Sequence, residues 1–179
     1  FITRHFVGSM LFKKTDIQYD IEQVKWEYDN LFSNISGYPP NRYESEGGGT
    51  QLCLQSYTDD DNPYTNGCGS MSRFPERTEN GYHRLNPIFK GTIFENIIEA
   101  YSRARFLTMV MHSTYSVHQD KASRLHLAID THPNAYFFWP DQKEFVHIPA
   151  DGYLYWVDTT LPHTFVNAGP DRTHLVMVE

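Results

Sequence analysis

The 179 residues predict a mainly β chain: a jelly roll of antiparallel strands, cupin-like or double-stranded β-helical, with two or more helices flanking it on the N-terminal side. Three observations carry that expectation. From Arg103 onward, apolar and polar residues alternate with period two, and turn residues recur at short intervals. Aromatic residues make up 15% of the chain, which suits strand packing and an apolar-walled pocket. Helical spacing is confined to the first hundred residues. The length fits one domain spanning 1–179. Within it, residues 1–102 form a helical, loop-rich flank with one strand-like run, and residues 103–179 form the jelly-roll core.

The elements follow in order. Asp20 caps a helix, Gln23 stands three positions on, and Ile21, Val24, Tyr28, Leu31 and Phe32 keep one face as far as Ser33. Residues 37 to 86 are dense in Gly, Pro, Asn, Asp and Ser, so they read as loops around a strand-like run from Gln51 to Tyr57; loops this long often serve as lids. Thr92 and Glu95 form a capping box for a second helix, with Ile93, Ile97 and Tyr101 on one face and an end near Ser102. Eight short strands come next: Arg105 to His112, Ser113 to His118, Arg124 to Asp130, Ala135 to Trp139, Phe145 to Ile148, Tyr153 to Asp158, His163 to Asn167 and Arg172 to Val178. The four-residue turn from Ala168 to Asp171 suggests a hairpin pairing Asn167 with Arg172, Phe165 with His174 and His163 with Val176.

Strand alternation then selects residues that can share a site. His118 and Asp120 are two apart and point the same way in an extended segment. Arg124 and His126 share one face of their strand, leaving Leu125, Leu127 and Ile129 to pack on the other. In the expected hairpin, Arg172 lies about 13 Å along the sheet from His163. Two imidazoles and one carboxylate on one face suit a redox iron with open coordination positions, and His118, Asp120 and His163 supply that set. An arginine beyond the metal suits a small diacid that chelates at one end and is salt-bridged at the other. With nine histidines in the chain, a single His-x-Asp triplet carries little; the joint facing of five polar groups carries more.

Composition limits the partners. A net charge of −7 offers no footprint for a phosphate backbone and argues against nucleic acid. Cys53 and Cys68 make neither a disulfide framework nor a closed zinc site, and read as reduced thiols of a cytoplasmic protein. No apolar run reaches the roughly 20 residues that span a bilayer. The Asp59-Asp60-Asp61 run reads as a solvated loop tip. Arg103 and Arg105 could contact an anionic substrate, but an exposed strand face is the favoured reading.

His118-Gln119-Asp120, Arg124-Leu125-His126, the segment Gly152 to Asp158, Leu161-Pro162-His163 through Asn167, and Asp171-Arg172-Thr173-His174 together resemble the Fe(II)/2-oxoglutarate-dependent dioxygenases. Within them the stretch from about 103 to 179 is most similar to the aspartyl/asparaginyl β-hydroxylase-like branch. The resemblance implies that His118, Asp120 and His163 bind Fe(II), that Arg172 pairs with the distal carboxylate of 2-oxoglutarate, and that Arg124 and His126 sit near its chelating end. Thr108, Asn167 and His174 are expected behind these groups. It further implies hydroxylation of an amino-acid side chain, free or in a peptide, using O2 and releasing succinate and CO2. The animal hydroxylase of that branch carries Gly where this chain has Asp120, and the carboxylate disfavours the halogenating relatives that lack it. Two other readings remain: a nucleic-acid or nucleoside demethylase with the same iron centre, and a cupin-like metal protein without oxygenase activity, which usually offers His-x-His rather than His-x-Asp.

Overall fold

Thirteen strands and two α-helices follow one another in this computed structural model, which describes residues 10–34, 43–44 and 49–179. They are β1 (Phe12–Gln18), α1 (Ile21–Asn34), β2 (Tyr43–Glu44), β3 (Thr50–Cys53), β4 (Gln55–Ser56), β5 (Arg84–Leu85) and α2 (Ile93–Ile98). After them come β6 (Ser102–Met109), β7 (Ser113–Thr114), β8 (Arg124–Asp130), β9 (Ala135–Trp139), β10 (Glu144–Val146), β11 (Tyr153–Val157), β12 (Thr164–Asn167) and β13 (Arg172–Val178). The chain is mainly β, and its strands pair antiparallel. A seven-stranded sheet runs β1-β11-β8-β13-β6-β3-β2, a four-stranded sheet runs β10-β9-β12-β7, and β4 and β5 form a small ribbon.

Alternation along the strands sorts two cores. Leu125, Leu127 and Ile129 of β8, Leu175 and Met177 of β13, and Phe106 of β6 meet Val24 of α1 and Phe94 and Ile97 of α2, so the helices cover the outer face of the large sheet. Ala128, Tyr155 and Val157 meet Phe137, Trp139 and Phe165 of the small sheet, so the two sheets share the second core. The expected packing of Leu125, Leu127 and Ile129 is therefore observed, and the opposite faces of β6, β8 and β13 turn towards the space between the sheets.

Local chemistry sets the helix ends. The Asp20 carboxylate accepts from the backbone N–H groups of Glu22 and Gln23 at 3.1 and 3.2 Å. On α1, Val24 is fully buried, with Ile21, Tyr28 and Leu31 packed around it; the side chain of Phe32 lies outside the described residues, as do positions 37–42 and 45–48 of the expected loop region. The second helix is shorter than its pattern suggests. The Thr92 hydroxyl donates to Phe89 O, Glu95 accepts from Gly91 N, and Glu27 of α1 accepts from Ile93 N, so the box is replaced by contacts to neighbours.

Two further differences concern connectivity. β1, which sequence periodicity does not reveal, joins the edge of the large sheet through Phe12–Val157 and Lys13–Trp156. It is largely exposed and rich in polar residues, as an edge strand is, so it carries no buried alternation to read. The expected hairpin between β12 and β13 is also absent. β12 pairs with β9, Phe165 opposite Phe137, while β13 pairs with β6 and β8. The Asn167 amide redirects the chain, donating to Met109 O, Val110 O and Pro170 O and accepting from Gly169 N. The facing survives across the gap between the sheets: the Arg172 guanidinium lies 3.8 Å from the Phe165 ring centre, and the Phe165 and His174 rings are 6.1 Å apart.

Candidate metal centre and its cavity

His118 and His163 belong to different segments, yet their backbones are tied directly: each N–H donates to the other's carbonyl at 2.9 Å. The neighbouring residues extend the tie, with Asp120 N donating to Thr159 O at 2.8 Å and Gln119 Nε2 to Thr160 O at 2.9 Å. One nitrogen from each of His118 and His163 and one oxygen of Asp120 thereby lie within 4.8 Å of one another. Both Nδ1 atoms are hydrogen-bonded to backbone carbonyls, His118 to Ser116 O at 2.8 Å and His163 to Leu161 O at 2.9 Å. A carbonyl only accepts, so Nδ1 carries a proton, and Nε2 is the ring nitrogen turned to a metal. Burial opposes ionisation of Asp120, but the Arg124 and Arg105 charges and the two imidazoles hold its carboxyl below the ordinary range. Burial likewise keeps His163 from protonating, against the pull of its carbonyl partner. Two imidazoles presenting Nε2 and one carboxylate are a donor set that can hold a divalent metal.

Behind this group a cavity of about 560 Å³ runs between the sheets, walled by Tyr115, Phe137 and Phe165, within the usual range for small-molecule sites. His118, Gln119, Lys121 and Ser72 are exposed at its rim, whereas Arg172 is only 2% exposed. Arg172 stacks on Phe165, reaches Leu107 O at 3.4 Å through Nη1, and leaves Nε without a partner among the described residues. Burial brings its guanidinium down to about 9. His126 also lines the cavity, with Nδ1 3.3 Å from Nδ1 of His174 and Nε2 without a partner among the described residues. Burial holds both imidazoles neutral, well below the usual value, helped by the Arg172 charge.

Arg124 lies where its strand face predicts, but its Nη groups are taken. Glu79 receives Nη2 at 2.8 Å and Nη1 at 3.1 Å, and Nε lies 3.4 Å from Asp120 Oδ2. It therefore acts on Asp120 rather than offering free donors to a co-substrate. Glu79 also binds Arg103. No spacing in the loop region flags Glu79, because its partners lie 24 and 45 residues away.

Several expectations are corrected. Arg103 and Arg105 do not form an exposed strand face: they are 3% and 7% exposed and line the cavity. Arg103 has φ +49°, at an irregularity in the β6–β13 register, and its guanidinium is held by Gly67 O, Gly69 O and Glu79. Thr108 sits on the other face of β6, hydrogen-bonded to Thr173 at 2.8 Å, because alternation from Arg105 and Leu107 turns it outward. Asn167 is committed to its turn, and His174 stands behind His126. In the acidic run, Asp59 is exposed beside Arg84, but Asp61 is buried and accepts from Tyr57 N, Thr58 N, Asn66 and Arg77.

No protein-family model and no curated protein sequence matches this chain. Among solved structures, a prolyl-4-hydroxylase from Pseudomonas putida superposes with a TM-score of 0.51 at 12% identity, over 93% of this chain and 90% of that one. The polyketide cyclase RemF from Streptomyces resistomycificus aligns over 41% of this chain and about half of its own, 51%, with a TM-score of 0.36 and 16% identity. The first likeness extends over nearly the whole chain and shows a shared fold; it does not single out the aspartyl/asparaginyl hydroxylase branch expected from the sequence.

Proposed function

We propose that this chain is an Fe(II)- and 2-oxoglutarate-dependent oxygenase on a double-stranded β-helix, hydroxylating an amino-acid side chain, free or in a peptide, with release of succinate and CO2. The observation that carries the reading is the convergence of His118, Asp120 and His163 within 4.8 Å at the mouth of a cavity whose inner end holds the buried Arg172. Iron, when bound, supplies the activation of O2 and the oxidative decarboxylation of the 2-oxo acid. The protein's residues position and neutralise. His118 and His163 present Nε2 because Ser116 O and Leu161 O hold their Nδ1 protons. Asp120 stays ionised against Arg124, which Glu79 anchors. Arg172 receives the distal carboxylate, whose charge restores what the guanidinium lost on burial. His126 offers a neutral ring nitrogen towards the chelating end, and the aromatic walls keep water out.

Hydroxylation of a side chain draws on the sequence resemblance, and the name of the Pseudomonas neighbour is in keeping with that type of reaction. Anaerobic Fe(II) with 2-oxoglutarate is expected to raise the weak visible charge-transfer band of the chelate. Arg172→Ala is expected to weaken 2-oxoglutarate binding roughly a hundredfold, the value of about 3 kcal/mol of charge-assisted hydrogen bonding. No band, or unchanged binding in the variant, sinks the reading.

A further inference from the structure

Arg105 is the unanswered charge of the cavity. It is 93% removed from solvent by its 7% exposure, and its Nε and Nη1 have no hydrogen-bond partner among the described residues. Two of the other guanidiniums are anchored by carboxylates, and the third, Arg172, whose Nε is also without a partner among the described residues, is the one assigned to the co-substrate. Arg103 is held by Glu79 and two carbonyls, Arg124 by Glu79 and Asp120, and Arg172 lies on Phe165 at the inner end. A guanidinium stripped of water and left without an acceptor is costly, and a ligand group that pairs with it recovers that loss.

Its position differs from that of Arg172. In the sheet register Arg105 lies opposite Val176 and Cys53, whereas Arg172 lies opposite Met109, four residues further along β6 and roughly 13 Å away at strand rise. The fields overlap at His126, on which both arginines act, and differ beyond it: Arg105 is among the charges that depress the Asp120 carboxyl, while Arg172 acts on His174. A diacid stretched from the metal to Arg172 thus runs away from Arg105. Charge balance gives the same answer. Four buried arginines share the cavity with two carboxylates, Glu79 and Asp120. A divalent cation and a diacid cancel each other and leave that positive excess untouched.

We infer that Arg105 anchors a negatively charged group of the second substrate, so that the compound oxidised is an organic carboxylate. This rests on the oxygenase reading of the same site. A carboxylate supplies a buried guanidinium with the charge-assisted hydrogen bonds it lacks.

The test is calorimetric and uses the whole chain loaded with Mn(II) and saturating 2-oxoglutarate. The probes are acid and amide twins: N-acetylglycine with N-acetylglycinamide, aspartate with asparagine, and glutamate with glutamine. At least one acid is expected to bind about tenfold or more tighter than its amide, the value of one charge-assisted hydrogen bond. Arg105→Gln should erase that preference and Arg105→Lys keep part of it, with 2-oxoglutarate affinity within about twofold of the parent in both variants. Circular dichroism and Tm establish that each variant is folded, and the lysine variant carries the test if the glutamine variant is not. If no acid is preferred, or the preference survives Arg105→Gln, the inference is overturned. It is also overturned if Arg105→Gln abolishes 2-oxoglutarate binding, since Arg105 then seats the co-substrate and the oxygenase reading stands. Should the parent fail to bind 2-oxoglutarate, that reading falls on its own, and the same titrations with Mn(II) alone decide whether Arg105 selects carboxylates.

Discussion

His126 and His174 meet through their Nδ1 atoms inside the molecule, and burial holds both rings neutral. Once the chain unfolds, each ring returns to an ordinary value near 6.5. Below that pH the unfolded state binds the extra protons, so the contribution of the pair is complete above it and declines as pH falls. Each ring contributes a slope of up to about 1.4 kcal/mol per pH unit. Urea titrations of the parent and of His174→Gln between about pH 6.5 and 5 should therefore give a shallower pH dependence in the variant; identical slopes would mean that His174 protonates freely in the fold. At this scale the sequence was legible where alternation speaks and silent elsewhere. The inward face of Arg124 and His126 could be read from Leu125, Leu127 and Ile129 on the other side. The burial of Arg103 and Arg105 could not, because the loop from Gly67 to Glu79, which supplies the carboxylate and carbonyl partners of Arg103 and lines the cavity beside Arg105, leaves no periodic trace.

β8, β9 and β13 occupy the spans that their sequences suggest, Arg124–Asp130, Ala135–Trp139 and Arg172–Val178, because each is bounded by turn residues and buried on at least one face. The β12–β13 connection was misread for a physical reason. A short turn with Gly169 and Pro170 fits equally a hairpin within one sheet and a step from one sheet to the next, and what separates them is the Asn167 amide clamp on backbone groups 57 and 58 residues distant. Asn167→Ala should leave those buried carbonyls without a donor and cost about 1–3 kcal/mol. A denaturant midpoint unchanged from the parent would show that the turn holds without it. Between the strap at Gly67–Gly69 and β3, the sulphurs of Cys53 and Cys68 lie 2.9 Å apart, both buried. Their spacing of fifteen residues does not announce that the two meet.

Across the whole molecule, the metal-ligating group borders the second apolar core, with the Phe137 and His163 rings 6.3 Å apart, but is no part of it. None of His118, Asp120 and His163 belongs to either cluster, and backbone hydrogen bonds hold their segments together independently of any ion. A chelator should therefore leave the circular-dichroism spectrum and the cooperativity of unfolding intact. It should lower stability only by the linkage term, about 2.7 kcal/mol when the metal had been present at a hundred times its Kd. Loss of folded structure on chelation would instead make the metal part of the scaffold. Among the described residues no helix is long and apolar enough to cross a membrane. The cavity is shut by Phe165 and Arg172 at one end, while His118 and Lys121 are exposed at the other. For a ligand that enters past that rim the depth of Arg172 imposes a queue: what seats on the guanidinium goes in first and leaves last. Steady-state kinetics should then carry the signature of an ordered sequence, in which a molecule lodged near the mouth traps the one behind it.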